Sequence, residues 1–204
     1  NTTGAENTAV GKSSMVANTT GSYNVAVGVN ALDANTTATN NTALGFKALT
    51  NNTTSGANTA IGSEAAHDNT TGSRLTAVGY KALHSNTTGT NNVAVGSEYS
   101  GLNGTLGSNT TGANNVAIGD DALGANTTAN SNTAIGTLAL RTNTTGTGLT
   151  AVGSGALDNN TTGNYNEAIG IDALTALTTG SSNIAIGRGA AGALTTQNNN
   201  VAIG

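Results

Sequence analysis

The 204-residue chain contains no cysteine, no proline and no tryptophan. Without cysteine it has no disulfide framework and no thiolate metal site. Aromatic residues make up only 2% and charged residues only 8% of the chain, against roughly a quarter charged in a typical globular domain. The formal net charge of -4 argues against nucleic-acid binding, which uses a basic surface. No stretch approaches roughly 18 consecutive apolar residues, so we expect no membrane insertion.

What the chain has in abundance is Asn, Thr, Ala and Gly, arranged in an internal repeat. The triplet Asn-Thr-Thr, or Leu-Thr-Thr in the last two copies, recurs at a constant spacing of seventeen, with a single longer interval of twenty-three. A second marker, Ala-aliphatic-Gly, keeps the same spacing. We therefore describe residues 1–204 as a single array of twelve copies of N-T-T-G-x-x-N-T/V-A-V/I-G-x-x-A-L-x-x, the last one shortened. The copies begin at residues 1, 18, 35, 52, 69, 86, 109, 126, 143, 160, 177 and 194, and the six extra residues are assigned to 103–108, NGTLGS.

The repeat predicts an all-β fold, a parallel β-solenoid or β-roll of about twelve coils. Thr-Thr, frequent Asn and a short Val/Ile run ending in Gly are poor helix formers and are typical of strands. Seventeen residues suit one coil with two short strands and tight corners. Stacking at about 4.8 Å per coil would give a rod of roughly 57 Å. Gly at positions 4 and 11 would allow positive φ angles at the corners, and aligned Asn side chains could form ladders.

The variation between copies predicts which positions face water. All charged residues except Glu167 fall at positions 5–6, 12–13 or 16–17, so we expect these positions to be exposed. Position 10 is always aliphatic and is predicted to point into the coil, which would turn the invariant Ala of position 9 outward. A second chain packed on this Ala row would then cover it. The alternative is a narrow or kinked coil that holds Ala inside.

Four segments carry a resemblance to a known family: Asn92–Gly96 (NVAVG), Asn115–Gly119 (NVAIG), Asn183–Gly187 (NIAIG) and Asn200–Gly204 (NVAIG). They resemble the repeat of YadA-like heads in trimeric autotransporter adhesins, and related repeats of bacteriophage tail fibres. The resemblance implies a left-handed β-roll, three chains around one axis and an extracellular adhesive role. The 17-residue unit is longer than that of the familiar heads, and residues 1–204 include neither coiled-coil heptads nor a membrane-anchor segment. The resemblance implies no particular binding residue.

Asn-x-Thr is also the acceptor sequence for N-glycosylation. A glycan on each coil would then coat the rod, if the side chains face outward. The alternative is that Asn caps a corner while Thr-Thr stacks, and Leu177 and Leu194 favour it, because Thr-Thr persists there without an acceptor. The candidate acceptors are Asn1, Asn18, Asn35, Asn52, Asn69, Asn86, Asn103, Asn109, Asn126, Asn143 and Asn160.

The insertion is the best single candidate for a specific contact, because loops that leave a regular scaffold often carry function. We select Tyr99, Asn103 and Leu106 as its contact residues. His67 and His84, the only histidines, both occupy position 16 and should lie near each other, about 5 Å apart. No third ligand recurs in register, so solvated corner histidines are the favoured interpretation, and we predict no metal and no cofactor.

The scattered placement of the carboxylates favours a protein that is not an enzyme. Asp158, Glu167 and Asp172 form the nearest acidic grouping and Asp120-Asp121 the only acidic pair, but they lie at different corners, and no Arg or Lys is expected to pair with them in register. Two single Thr rows, from positions 2 and 3, are a weak basis for ice binding.

Taken together, the repeat predicts an extracellular, cell-surface or virion-surface fibre segment that is structural and adhesive. Multivalent contacts along a rigid rod would supply the affinity. The predicted partners are copies of the chain itself, in a homotrimer or an end-to-end filament, and surface glycans or host matrix. A carbohydrate- or ice-binding solenoid is the alternative.

Overall fold

The computed structural model describes residues 1–98 and 101–204, and it forms a parallel β-solenoid without helices in those residues. Each coil contributes one three-residue strand to a single parallel sheet whose order follows the sequence. Equivalent positions pair directly, for example Ala94 with Ala117. The strands are β1 (Thr8–Val10), β2 (Val25–Val27), β3 (Thr42–Leu44), β4 (Thr59–Ile61), β5 (Thr76–Val78), β6 (Val93–Val95), β7 (Val116–Ile118), β8 (Thr133–Ile135), β9 (Thr150–Val152), β10 (Glu167–Ile169), β11 (Ile184–Ile186) and β12 (Val201–Ile203).

The wall opposite the sheet is made of turns, so the expectation of two strands in each coil is wrong. These turns still join successive coils through backbone hydrogen bonds, such as Leu32 N–H to Ala48 O at 3.0 Å. The corners lie in the left-handed region at positions 6, 13 and 15, for example Tyr23 (φ 60°), Lys47 (φ 55°) and Leu49 (φ 51°). A chain that turns this sharply three times cannot extend a second strand.

Glycine serves two different purposes in the coil. At position 11 its φ lies between 124° and 145°, which L-residues rarely adopt, so this part of the prediction is confirmed. At position 4 the glycines do not have positive φ, contrary to expectation. There the reason is close approach, because a Cβ on Gly72 would lie 2.3 Å from the Gly89 carbonyl oxygen of the next coil.

The core is narrow and is built from Ala at positions 9 and 14 and Leu at position 15. Ala94, Ala82 and Leu83 are all fully buried. The predicted inward orientation of position 10 is therefore wrong, since Ile118 is 39% and Ile135 38% exposed. The coil is so thin that the strand can direct only a methyl group inward, where Leu from the opposite wall fills the remaining space. The Ala row is thus covered by its own coil, as in the narrow-coil alternative, and not by a second chain.

Two columns of asparagine run along the inside of the solenoid, as the aligned Asn side chains suggest. In the first, at position 1, the amides donate to the Oδ1 of the preceding coil, as Asn109 does to Asn86 at 2.8 Å, except at Asn52, whose amide donates to Ser55 O. In the second, at position 7, each Oδ1 accepts the backbone N–H of the next coil, as Asn41 does from Asn58 at 3.0 Å. These bonds satisfy polar groups that the narrow core would otherwise leave unpaired.

The six extra residues fall between Glu98 and Thr105, which corrects their assignment to 103–108. Leu83 N–H donates to Thr105 O, and Leu106 N–H donates to Ala122 O, both within 3.0 Å. Residues 105–108 therefore occupy positions 14–17 of their coil. The sequence alone could not place the boundary, because Thr105 replaces the usual Ala and the Gly-rich segment has no clear counterpart in the repeat.

Candidate functional site

The predicted glycosylation sites of the inner column are not on the surface. Asn18 is 1% exposed and the eight that follow it are fully buried, with amides hydrogen-bonded inside the column. A glycan on Nδ2 would replace these bonds and could not fit in the core, so the prediction is wrong for these nine residues. The buried residues are Asn18, Asn35, Asn52, Asn69, Asn86, Asn109, Asn126, Asn143 and Asn160. Asn1 and Asn103 are exposed, and glycosylation there stays a prediction.

The insertion borders a cleft of about 330 Å³, lined by Glu64, Lys81, His84, Glu98, Leu102 and Asn103 among others. Asn103 is exposed and lies on this lining, so it remains a candidate contact residue. Leu106 is fully buried and replaces the core Leu of its coil, which removes it from the contact residues. Tyr99 lies outside the described residues.

The end of the insertion is fixed by a buried carboxylate that the sequence did not reveal. Asp121 is fully buried, although position 13 was expected to face water. Its Oδ1 accepts the Gly104 N–H at 2.8 Å. The insertion covers this corner, and the charge is accommodated by hydrogen bonding instead of by solvent.

The two histidines lie where the repeat spacing places them. Their rings stack with centroids 5.1 Å apart and an interplanar angle of 5°, which confirms the predicted proximity. Asp68 lies between them, with Oδ1 2.7 Å from His67 Nδ1 and Oδ2 3.7 Å from His84 Nδ1. On the other side of the second ring, Glu64 Oε2 is 3.7 Å from His84 Nε2. Burial lowers the pKa of His84 below its ordinary value, although Asp68 opposes this effect.

Ion pairs join equivalent positions of adjacent coils, contrary to the expectation that no basic residue would lie in register. Arg141 binds Asp158 through two hydrogen bonds of 2.8 and 3.0 Å. Lys81 Nζ lies 2.8 Å from Glu98 Oε2, and hydrogen bonds to Glu98 and Tyr80 raise the pKa of Lys81. In both pairs the two residues are 17 positions apart. A search of the sequence for opposite charges at this spacing would have found them.

The carboxylates considered as catalytic candidates each have a different structural role. Asp158 is held by Arg141, Glu167 lies on the outward face of β10, and Asp172 sits at a corner with φ 56°. Asp120 Oδ1 accepts hydrogen bonds from the Ser97 backbone N–H and hydroxyl, while Asp121 faces the insertion. That the protein is not an enzyme stays a prediction from the sequence.

Turning Ala inward leaves an aliphatic row on the outer face of the sheet, which we define as the side chains at the tenth position of every coil. Its isoleucines from Ile61 to Ile186 are 37–43% exposed, and Leu44 is 45% exposed. No charged residue interrupts the row. Its members are Val10, Val27, Leu44, Ile61, Val78, Val95, Ile118, Ile135, Val152, Ile169, Ile186 and Ile203.

A second regular surface is the threonine row, formed by the side chains at the third position of every coil. Thr111 and Thr128 are exposed, as are their equivalents in the other coils. The neighbouring Thr of position 2 instead uses its hydroxyl inside the stack, as Thr70 Oγ1 donates to Thr87 O at 2.9 Å. The two Thr rows are therefore separate, as predicted. The row contains Thr3, Thr20, Thr37, Thr54, Thr71, Thr88, Thr111, Thr128, Thr145, Thr162, Thr179 and Thr196.

Comparison with known proteins finds no matching family model, no matching curated protein and no matching solved structure. The resemblance to the heads of trimeric autotransporter adhesins therefore rests on the repeat motif and stays a prediction. Across the residues that the structure describes, none of the chain forms a helix long and apolar enough to cross a bilayer.

Proposed function

We propose that the chain is an extracellular structural and adhesive fibre segment that works by multivalent presentation from a stiff rod. The observation that carries this proposal is the aliphatic row, which runs along every coil of the sheet. A water-exposed apolar surface of this length favours association. We propose copies of the same chain as its partner, because parallel copies would match the row coil by coil.

Three chains around one axis is the assembly that we favour. In a trimer each row would face the axis and bury its branched side chains against two others, while the threonine rows would remain outside. Glu167 is the one charged residue beside the row on the strand face, so a trimer would have to leave its carboxylate hydrated. End-to-end stacking remains a further prediction of the repeat.

Adhesion would come from the outer surfaces, which repeat the same polar groups once per coil. A weak contact to a surface glycan or matrix polymer gains effective concentration when many equivalent sites lie on one rigid object. The threonine row supports this idea, because its side chains are exposed in every coil. The proposed ligands are therefore polymers with repeating hydroxyl groups.

Sedimentation equilibrium of matched variants tests the association. Ile118→Lys with Ile135→Lys places two charges on the aliphatic row, whereas Thr111→Lys with Thr128→Lys places two charges on the threonine row of the same coils. We expect trimers for the unmodified chain and the threonine variant, and monomers for the isoleucine variant. A monomeric unmodified chain, or equal loss of association in both variants, would contradict the proposal.

A ligand-binding solenoid, for carbohydrate or ice, is the second candidate, and the unbroken threonine row favours it. The same two variants separate the candidates on a glycan array and in an ice-growth assay. A ligand-binding module should lose selective binding or ice shaping in the threonine variant alone. A fibre segment should form rods in electron micrographs, with no selective binding to one glycan and no ice shaping.

A further inference from the structure

We propose that His67, Asp68 and His84 form a binding site for a divalent transition-metal ion of the zinc class. Two imidazole nitrogens and one carboxylate are the donors that Zn²⁺, Co²⁺ and Ni²⁺ accept in proteins. One ligand atom from each residue lies within 4.8 Å of the others. The site is independent of the proposed fibre function, because it uses positions 16 and 17 of coils 4 and 5, which belong to neither the aliphatic nor the threonine row.

The solenoid brings these donors together without any sequence motif. His67 and His84 occupy the same position of adjacent coils and therefore stack, while Asp68 follows His67 and turns its carboxylate toward both rings. The Nδ1 atoms of both rings face this carboxylate, so these are the atoms we assign as ligands. Asn51 Nδ2 donates to Asp68 Oδ1 at 3.2 Å, which orients the carboxylate.

Binding requires a modest movement of the rings. Imidazole lone pairs lie in the ring plane, so two parallel rings cannot both direct a lone pair at one ion. The side chains of His67 and His84 are 21% and 27% exposed, which leaves space for rotation about χ2. The burial of His84 also favours its neutral form, and only a neutral imidazole can bind a metal.

Glu64 supplies the outer contact that metal-binding histidines usually have. When Nδ1 of His84 binds the ion, Nε2 carries the proton and faces Glu64 Oε2, now 3.7 Å away. A small rotation of either side chain closes this distance to a hydrogen bond, which fixes the tautomer and orients the ring. Glu64 is thus a positioning residue, and water would complete the coordination beside the cleft.

The two histidines make the test direct, because the chain contains only two ring signals in a histidine-selective NMR spectrum. Zn²⁺ is titrated into the full chain at pH 7.5, and Co²⁺ is used to record d–d absorption. We expect one ion per chain, simultaneous shifts of both ring signals, and reversal by a chelator. Movement of only one ring signal, or no saturable binding, would overturn the proposal.

Substitutions identify the ligands. Losing only an outer contact typically weakens metal binding about 10- to 100-fold. Losing a ligand should cost at least as much, so His67→Gln, His84→Gln and Asp68→Asn should each weaken binding at least tenfold. Asp172→Asn, which removes a carboxylate that no histidine contacts, should leave the affinity unchanged. Metal-free melting curves of all variants verify the fold. Unchanged affinity in either histidine variant would overturn the site.

Proton competition provides a second readout. Binding should weaken as the pH is lowered from 7.5 to 5.5, because protons compete with the metal ion for imidazole nitrogens. An affinity that stays constant between pH 7.5 and 5.5 would assign the ion to carboxylates alone and contradict the proposal.

Discussion

The glycine of position 11 and the left-handed residues of positions 6, 13 and 15 give each coil its shape. Glycine at position 11 has φ angles that an L-residue tolerates poorly. The left-handed corners instead carry ordinary residues such as Lys81 (φ 56°) and Leu83 (φ 56°). Such residues rarely adopt this conformation alone, so they are held there by the hydrogen bonds between coils.

A glycine of position 11 and a glycine of the left-handed corner at position 13 should respond differently to alanine. Gly119→Ala would put a Cβ 2.6 Å from the Gly136 carbonyl carbon at φ 124°, whereas Gly189→Ala, at φ 68°, meets nothing within 4 Å. We expect the first substitution to lower the free energy of unfolding by roughly 2–6 kcal/mol from strain and overlap. The second should lower it by about 1 kcal/mol. Urea unfolding of both variants gives the comparison, and equal losses would contradict it.

Leucine in place of asparagine interrupts the hydrogen bonds of the first asparagine column. Leu177 stands where the first asparagine column would continue, and it has no amide to donate. Asn160 Oδ1, the preceding acceptor of that column, is buried without a hydrogen-bond partner among the described residues, as is Asn35 Oδ1. The apolar burial of Leu177, which is fully buried, offsets part of this cost.

At the scale of the strand, the sequence predicted the element but not its orientation. The Gly-bounded run V/T-A-V/I identified each strand and its parallel register. Because positions 9 and 10 are both apolar, alternation could not decide which one faces inward. The deciding quantity is the interior volume, which admits Ala94 but leaves Val95 only partly buried. That volume depends on the corners of the folded coil.

Adjacent residues of β6 therefore give a sharp test of orientation. Ala94→Asp would bury an unpaired carboxylate in the core and should prevent folding or cost more than about 3 kcal/mol. Val95→Asp, on the outward face, should change the stability of the monomer by less than about 1 kcal/mol. Circular dichroism melting at a concentration where the chain is monomeric provides the measurement. Greater damage from Val95→Asp would reverse the assignment of inside and outside.

The repeat also predicted only part of the candidate sites. Spacing alone placed His67 over His84, since a fixed repeat stacks equivalent positions. The burial of the asparagine acceptors was indicated only by Leu177 and Leu194 in their column, because Asn-Thr-Thr is typical both of exposed acceptors and of inner ladders. Asp121 is an exception to the expectation that charged positions are exposed, because the insertion covers its corner. The repeat pattern does not show how an inserted loop folds back.

At the scale of the whole molecule, the insertion is an addition to an otherwise unbroken stack. β6 and β7 pair in the same register as their neighbours, although the insertion lengthens the chain between their equivalent positions. Each coil contacts mainly the coils above and below it, as in other repeat proteins. The array can therefore include a loop without losing the alignment of later coils.

Removing residues 99–104 should leave the solenoid intact. Thr105 already lies in register with Ala82 and Ala122, and a loop of this length contributes little free energy. We expect an unchanged far-ultraviolet circular dichroism spectrum and a free energy of unfolding within about 1 kcal/mol of the original. Removing residues 116–121 is the matched control, which deletes β7 and should disrupt the stack. A large loss from the first deletion would assign the insertion an essential structural role.

The equal height of the coils has a consequence for how such a chain can change over generations. Gene segments that repeat in tandem gain and lose copies by recombination, and here each added copy brings the same contacts to both neighbours. The length of the solenoid is then heritable and grows in fixed increments, while the surface side chains of every increment are preserved.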